Sequence, residues 1–122
     1  DAWRAGASLA GCSAGAMALA GHVPDFRHPR RGGTDGLGIV PDAKVLPHFD
    51  RYSRWMPTLA LHTFVSPDSV VLGIDEDTAL VAEPCEGRDW TFTPRGRQSA
   101  WRIDGSGKER IDGSIALRVA VG

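Results

Sequence analysis

Ala7-Ser8-Leu9-Ala10-Gly11-Cys12-Ser13-Ala14-Gly15-Ala16-Met17-Ala18-Leu19-Ala20 is the stretch on which the reading of this chain turns. Ala7 to Cys12 is short, small and apolar, the pattern of a strand buried on both faces. Ala14 to Ala20 reads as a helix, because Ala, Met and Leu favour it and Gly21 can end it. Between them, Gly11-Cys12-Ser13-Ala14-Gly15 matches G-x-S-x-G, in which a sharp strand-to-helix turn lifts a serine hydroxyl out of a sheet. So tight a turn requires small residues on either side of the serine. The helix N-terminus that follows favours negative charge developing beside it, and the Ala14 N–H is the expected oxyanion donor. Such a motif arises by chance in about one chain of this size in thirty. The competing reading is a small-residue packing contact, and the apolar strand before and alanine-rich helix after favour the nucleophile. Cys12 faces the wrong way for that role and reads as packing.

A strand buried on both faces belongs inside a parallel sheet, whose neighbours need crossovers of about a dozen residues or more. Only six residues precede Ala7. The chain is therefore expected to be one domain, 1–122, that forms the C-terminal portion of a larger catalytic domain, and a first residue of Asp1 rather than Met agrees with that. Asp1 to Gly6 reads as the last turn of a helix. The Pro-, Gly-, Arg- and Asp-rich segment His22 to Gly36 reads as a loop long enough to carry function. A strand is expected over Ile39 to Leu46, interrupted near Pro41-Asp42. A helix follows around Ser53 to Phe64, bent or started at Pro57. Strands then fill Val70–Ile74, Thr78–Ala82, Trp90–Thr93, Ala100–Ile103 and Ile115–Val121. The first half is thus α/β and the second half antiparallel β.

Composition removes several classes of function. With 42% hydrophobic and 24% charged residues over 122 positions, the chain resembles an average globular domain. Its 14 basic and 15 acidic side chains give a net charge of −1, which offers no excess to neutralise a phosphate backbone, so nucleic acid is not an expected partner. No apolar run approaches the roughly 20 residues that cross a bilayer, so no membrane partner is expected. Two cysteines, Cys12 and Cys85, make no disulfide framework, and with no signal-peptide pattern the expected compartment is the cytoplasm. The histidines and cysteines show no metal-ligand spacing, so neither metal nor cofactor is expected.

A nucleophilic serine needs a base. Of His22, His28, His48 and His62, His48 lies just past a strand, where open α/β sheets place their sites. The base needs an orienting acid, which in elbow hydrolases falls between serine and histidine in the chain. Asp25, Asp35 and Asp42 qualify by order. Asp42 follows Pro41 and Asp35 sits among glycines, both turn-like, which leaves Asp25 in the loop after the helix.

Together these residues resemble the serine peptidase family of peptidase E (aspartyl dipeptidase) and cyanophycinase. Ala10-Gly11-Cys12-Ser13-Ala14-Gly15-Ala16-Met17 is similar to that family's elbow. Gly36-Leu37-Gly38-Ile39-Val40-Pro41, leading to Pro47-His48-Phe49-Asp50-Arg51, resembles the segment bearing its catalytic histidine. Leu72-Gly73-Ile74-Asp75-Glu76-Asp77-Thr78-Ala79-Leu80-Val81 resembles a turn between strands in cyanophycinase-like members. The resemblance implies Ser13 as nucleophile, His48 as base and an acid near Asp25. It places Asp75, Glu76 and Asp77 at the border of the site; no catalytic role is assigned to them, and at least two of the three are expected to form a solvated acidic turn. It implies part of a class I glutamine amidotransferase-like three-layer sandwich, with a second oxyanion donor from a glycine-rich turn upstream of the chain.

The expected activity is hydrolysis of peptide bonds by a Ser-His-Asp mechanism, on a peptide with an aspartyl residue beside the scissile bond. Arg30, Arg31, Arg51 and Arg54 are candidates to bind that carboxylate, Arg51 and Arg54 foremost. A homodimer is compatible with this reading. The alternatives are a non-catalytic relative or fragment with a structural or binding role, and an esterase of the wider elbow class.

Overall fold

The computed structural model describes residues 2–28, 33–55, 61–66, 69–86 and 89–118. Its organising element is β4 (Val70–Ile74), which runs parallel to β3 (Ala43–Pro47) in the register Ala43↔Val70 to Pro47↔Ile74. Parallel neighbours need a long crossover, and residues 48–69 supply it, carrying α2 (Phe49–Trp55) and a 3₁₀ turn at His62–Phe64. On its other side β4 pairs antiparallel with β7 (Ala100–Asp104), which pairs with β8 (Gly107–Arg110), giving a sheet of order β3-β4-β7-β8. A second, antiparallel sheet has the order β5-β6-β9, from Thr78–Pro84, Asp89–Gly96 and Ile115–Arg118. A short ladder joins β1 (His22–Val23) to β2 (Thr34–Asp35).

Side-chain alternation explains why β4 is central. Val71 packs with Leu46, Phe49, Leu61, Phe64 and Ile103 on one face, while Leu72 packs with Phe92, Ala100, Ile111 and Leu117 on the other. Successive residues of a strand point to opposite faces, so a run of Val and Leu buries both. Each such side chain contributes roughly 1.5–3 kcal/mol when fully buried. The first cluster lies towards α2 and the second towards the other sheet. Gly73 is required here, because a Cβ on it would stand 2.6 Å from the fully buried Phe49 ring.

Val70–Ile74 has the bounds read from the sequence. Thr78–Pro84, Asp89–Gly96 and Ala100–Asp104 extend the segments expected there. Ile115–Arg118 begins as expected, and the remainder of that segment lies outside the described residues. The strand Gly107–Arg110 adds to the expected set: its charged residues hide a hairpin turned at Gly105-Ser106.

Other expectations are corrected. Ala7 to Cys12 joins no sheet among the described residues and is exposed throughout. A strand exists only through its ladder, and here the Ala7 N–H donates to the Ala2 carbonyl and the Cys12 carbonyl accepts the Gly15 N–H, both at 2.9 Å, instead of pairing with a neighbouring strand. Leu9, 47% exposed, borders an open groove of about 520 Å³ with Trp3, Leu37 and Ile39. Residues 2–6 form turns rather than a helix end, with Gly6 at φ 103°. The second helix begins at Phe49 rather than Ser53, and Pro57 lies outside the described residues. Strand β3 starts after Asp42, whose φ of 51° breaks the extended path, while Val40 bridges Ala20 separately.

Candidate active site

The parallel pair β3–β4 delivers two polar side chains to one edge. His48 follows Pro47 and Glu76 lies two residues beyond Ile74, so both stand past the C-terminal ends of adjacent parallel strands. His48 Nδ1 is 3.1 Å from Glu76 Oε1. The other ring nitrogen, Nε2, is 2.9 Å from Ser13 Oγ. Ser13 stands immediately before α1 (Ala14–Leu19), which lies against β3, and just past the helix Ala20 forms an isolated bridge with Val40.

Local backbone explains how two of these residues are presented. Ser13 has φ 54° and His48 φ 51°, a region that non-glycine residues seldom occupy and that clusters at functional sites. A Cβ on Gly11 would meet the Gly15 carbonyl oxygen at 2.5 Å, so the first glycine of the motif is sterically fixed. Gly15 itself has open space around its own Cβ direction. Ala14 opens the helix, and the first N–H groups of a helix have no intrahelical acceptor.

Hydrogen-bond logic sets the tautomer. With Nδ1–H donating to the Glu76 carboxylate, Nε2 is left with a lone pair to accept the Ser13 hydroxyl. Glu76 Oε1 also forms an ion pair with Arg51 Nε at 2.9 Å. The His48 and Glu76 side chains are 43% and 30% exposed, so solvent screens their attraction and the pair contributes orientation more than stability.

The remaining acids and histidines fall elsewhere. Asp25 is not brought to His48. Its Oδ1 accepts the Arg27 and His28 N–H groups and its Oδ2 faces His28 Nδ1 at 3.6 Å. Those backbone N–H bonds, His28 first, hold the carboxyl below its ordinary value against the opposing effect of desolvation. The acid beside His48 is Glu76, which chain-order reasoning missed because it follows the histidine. The available signal was the Asp75-Glu76-Asp77 run at the end of a buried strand. Those three neighbours differ: Asp75 is buried at 7% exposure and accepts Trp101 Nε1 and the Ser99 N–H, both at 3.1 Å, while Asp77 is an exposed turn residue at φ 54°. Only Asp77 meets the expectation of a solvated turn. His22 lies in β1 and His62 in the 3₁₀ turn, its Nε2 buried and unpartnered among the described residues. Arg51 reaches Glu76, Arg54 is exposed on the last turn of α2, and Arg30 and Arg31 lie outside the described residues.

A hydroxyl, an imidazole and a carboxylate are thus joined in series at one edge of the sheet. The sequence matches peptidase family S51 over residues 1–87, and the chain belongs to that family. It is 35% identical over 107 residues to a cyanophycinase of Trichormus variabilis, covering 80% of this chain and 33% of that protein. A cyanophycinase of Synechococcus elongatus is 34% identical over 112 residues, covering 84% of this chain and 32% of its own length. Among solved structures, a peptidase from an acI-B1 Actinobacterium matches with a TM-score of 0.69 and 36% identity, over 95% of this chain and 47% of that one. The chain thus spans about a third of the length of the curated relatives it matches.

Proposed function

We propose that this chain carries the nucleophile, base and orienting acid of a serine peptidase: Ser13, His48 and Glu76. The observation that carries the reading is the continuous series of hydrogen bonds, 2.9 Å from Ser13 Oγ to His48 Nε2 and 3.1 Å from Nδ1 to Glu76. In this reading His48 takes the Ser13 proton as the hydroxyl attacks a peptide carbonyl, and later gives it to the leaving amine. Glu76 holds the imidazole in the required tautomer and stabilises the imidazolium. The Ala14 N–H serves as one oxyanion donor. The positive φ of Ser13 and the steric demand at Gly11 support the nucleophile-elbow reading.

The substrate is proposed to be a peptide, with an aspartyl residue beside the scissile bond. The basic residues Arg51 and Arg54 on the helix that follows His48 support a carboxylate there. The share of its relatives that the chain spans, and the exposed segment before Ser13, support a role as the C-terminal portion of a larger glutamine amidotransferase-like sandwich. Upstream strands would then pair with residues 7–12 and a glycine-rich turn would add the second oxyanion donor. Lacking one such donor costs about 10²–10³ in turnover. Two free, exposed cysteines accord with a reducing cytoplasm.

Labelling with a fluorophosphonate probe tests the proposal, comparing this chain, Ser13→Ala and a polypeptide extended upstream. Labelling that requires Ser13 supports an assembled nucleophile and base. Labelling of the extended form alone supports the larger domain. Silence from a folded extended form overturns the hydrolase reading.

A further inference from the structure

Glu76 sits on the turn between β4 and β5, and a turn left to itself would not hold a carboxylate to within a few tenths of an ångström. Its backbone is gripped on both sides. Asp50 Oδ1 accepts the Glu76 N–H at 2.8 Å, and the Thr78 hydroxyl donates to the Glu76 carbonyl at 3.1 Å. Thr78 Oγ1 in turn accepts the Gln98 N–H at 3.1 Å, and the Gln98 side-chain amide donates to Asp50 Oδ2 at 3.4 Å. These contacts close a ring through Asp50, Glu76, Thr78 and Gln98. One residue earlier, Asp75 is tied to Ser99 and Trp101.

The position of Asp50 gives the ring a second meaning. It lies two residues after His48, on the first turn of α2, where the Arg51 and Tyr52 N–H groups donate to the His48 carbonyl at 3.0 and 3.1 Å. The same turn therefore fixes His48 directly and Glu76 through Asp50. We infer that Asp50 is a positioning residue, whose carboxylate holds the Glu76 backbone so that the Glu76 side chain stays aligned with His48 Nδ1. The inference rests on the Ser13–His48–Glu76 reading above. Burial works against the charge on Asp50, but the hydrogen bond from the Glu76 N–H and its other donors outweigh it and keep the carboxyl below its ordinary value. It is thus an ionised acceptor at neutral pH, and charge-assisted bonds of this kind are the stronger ones.

The decisive readout is the low-field NMR resonance of the His48 Nδ1 proton, assigned by its loss in His48→Gln. It needs no turnover. Glu76→Gln should displace it. Asp50→Ala should displace or broaden it in the same sense, and Asp50→Asn should restore it, because the amide oxygen still accepts the Glu76 N–H. Asp50→Ser, which keeps a residue suited to a first helical turn but falls one bond short, replaces Asp50→Ala if that variant does not fold. Where the probe labels the protein, the labelling rate should fall about 10–100-fold in Asp50→Ala. It should stay within about threefold in Asp50→Asn, and Asp50→Ala should add less than about twofold to Glu76→Gln. A resonance unmoved by Asp50→Ala or Asp50→Ser but displaced by Glu76→Gln overturns the inference and leaves the underlying reading intact. A resonance unmoved by Glu76→Gln overturns both.

Discussion

The two halves of the candidate site rest on unequal supports. His48 and Glu76 extend from β3 and β4, whose side chains fill the main core, and Glu76 is held further by Asp50, Thr78 and the braced Asp75. Ser13 follows an exposed segment that pairs with no strand among the described residues. Its helix is six residues long and buries none of them fully. The proposed base and acid are thus placed by cooperative packing, while the proposed nucleophile is placed by a local turn, a bridge at Ala20 and its bond to His48. Precision in a site is inherited from whatever the site is mounted on.

The largest test of that contrast is chemical. Ser13→Ala should remove fluorophosphonate labelling completely and lower peptide turnover by about 10⁴-fold or more, read by single-turnover kinetics. Next, Glu76→Gln should lower turnover by about 10²–10⁴-fold with KM little changed, since the amide cannot stabilise the imidazolium. Asp25→Asn, measured alongside, should stay within about twofold. The reverse ranking would move the orienting role to Asp25 and break the comparison at its anchored end.

Stability should show the same asymmetry. Phe49→Ala empties the space against Gly73 and should cost about 3–5 kcal/mol in urea unfolding. Leu9→Ala, on the unsupported side, should stay within about 0.5 kcal/mol. Amide exchange sharpens the same point, with residues 71–74 protected and residues 8–12 exchanging freely. A slow-exchanging 8–12 segment would mean that it finds a partner, for instance in a second copy of the chain.

The smallest effect concerns acid. The Asp50 carboxyl titrates below its ordinary value of 3.8, so the folded protein binds fewer protons than the unfolded chain in that range. Its contribution is present above about pH 4 and is lost as pH falls through the lowered value. Asp50→Asn should therefore flatten the acid limb of a stability–pH curve below pH 4. An unchanged limb would show that Asp50 is not held as described.

Much of the fold was legible because it is written locally. Val70–Ile74 could be read from its apolar run, and Thr78, Trp90 and Ala100 mark strands by alternation between turn residues. Gly107–Arg110 escaped because charged side chains on a hairpin carry no apolar period. Ala7–Cys12 reads as a buried strand on pattern alone, yet burial requires neighbours that a pattern cannot supply.

The sequence by itself determined the small residues around Ser13, the apolar strands and a histidine at a strand end, since each follows from side-chain size, hydropathy and turn chemistry over a few positions. Only the tertiary structure decided which acid meets that histidine. The choice depends on the β3–β4 register, which sets Pro47 beside Ile74 and brings together residues 28 positions apart. Register is settled by which side chains share a core across strands, and no short stretch of the chain contains both sides of that contact.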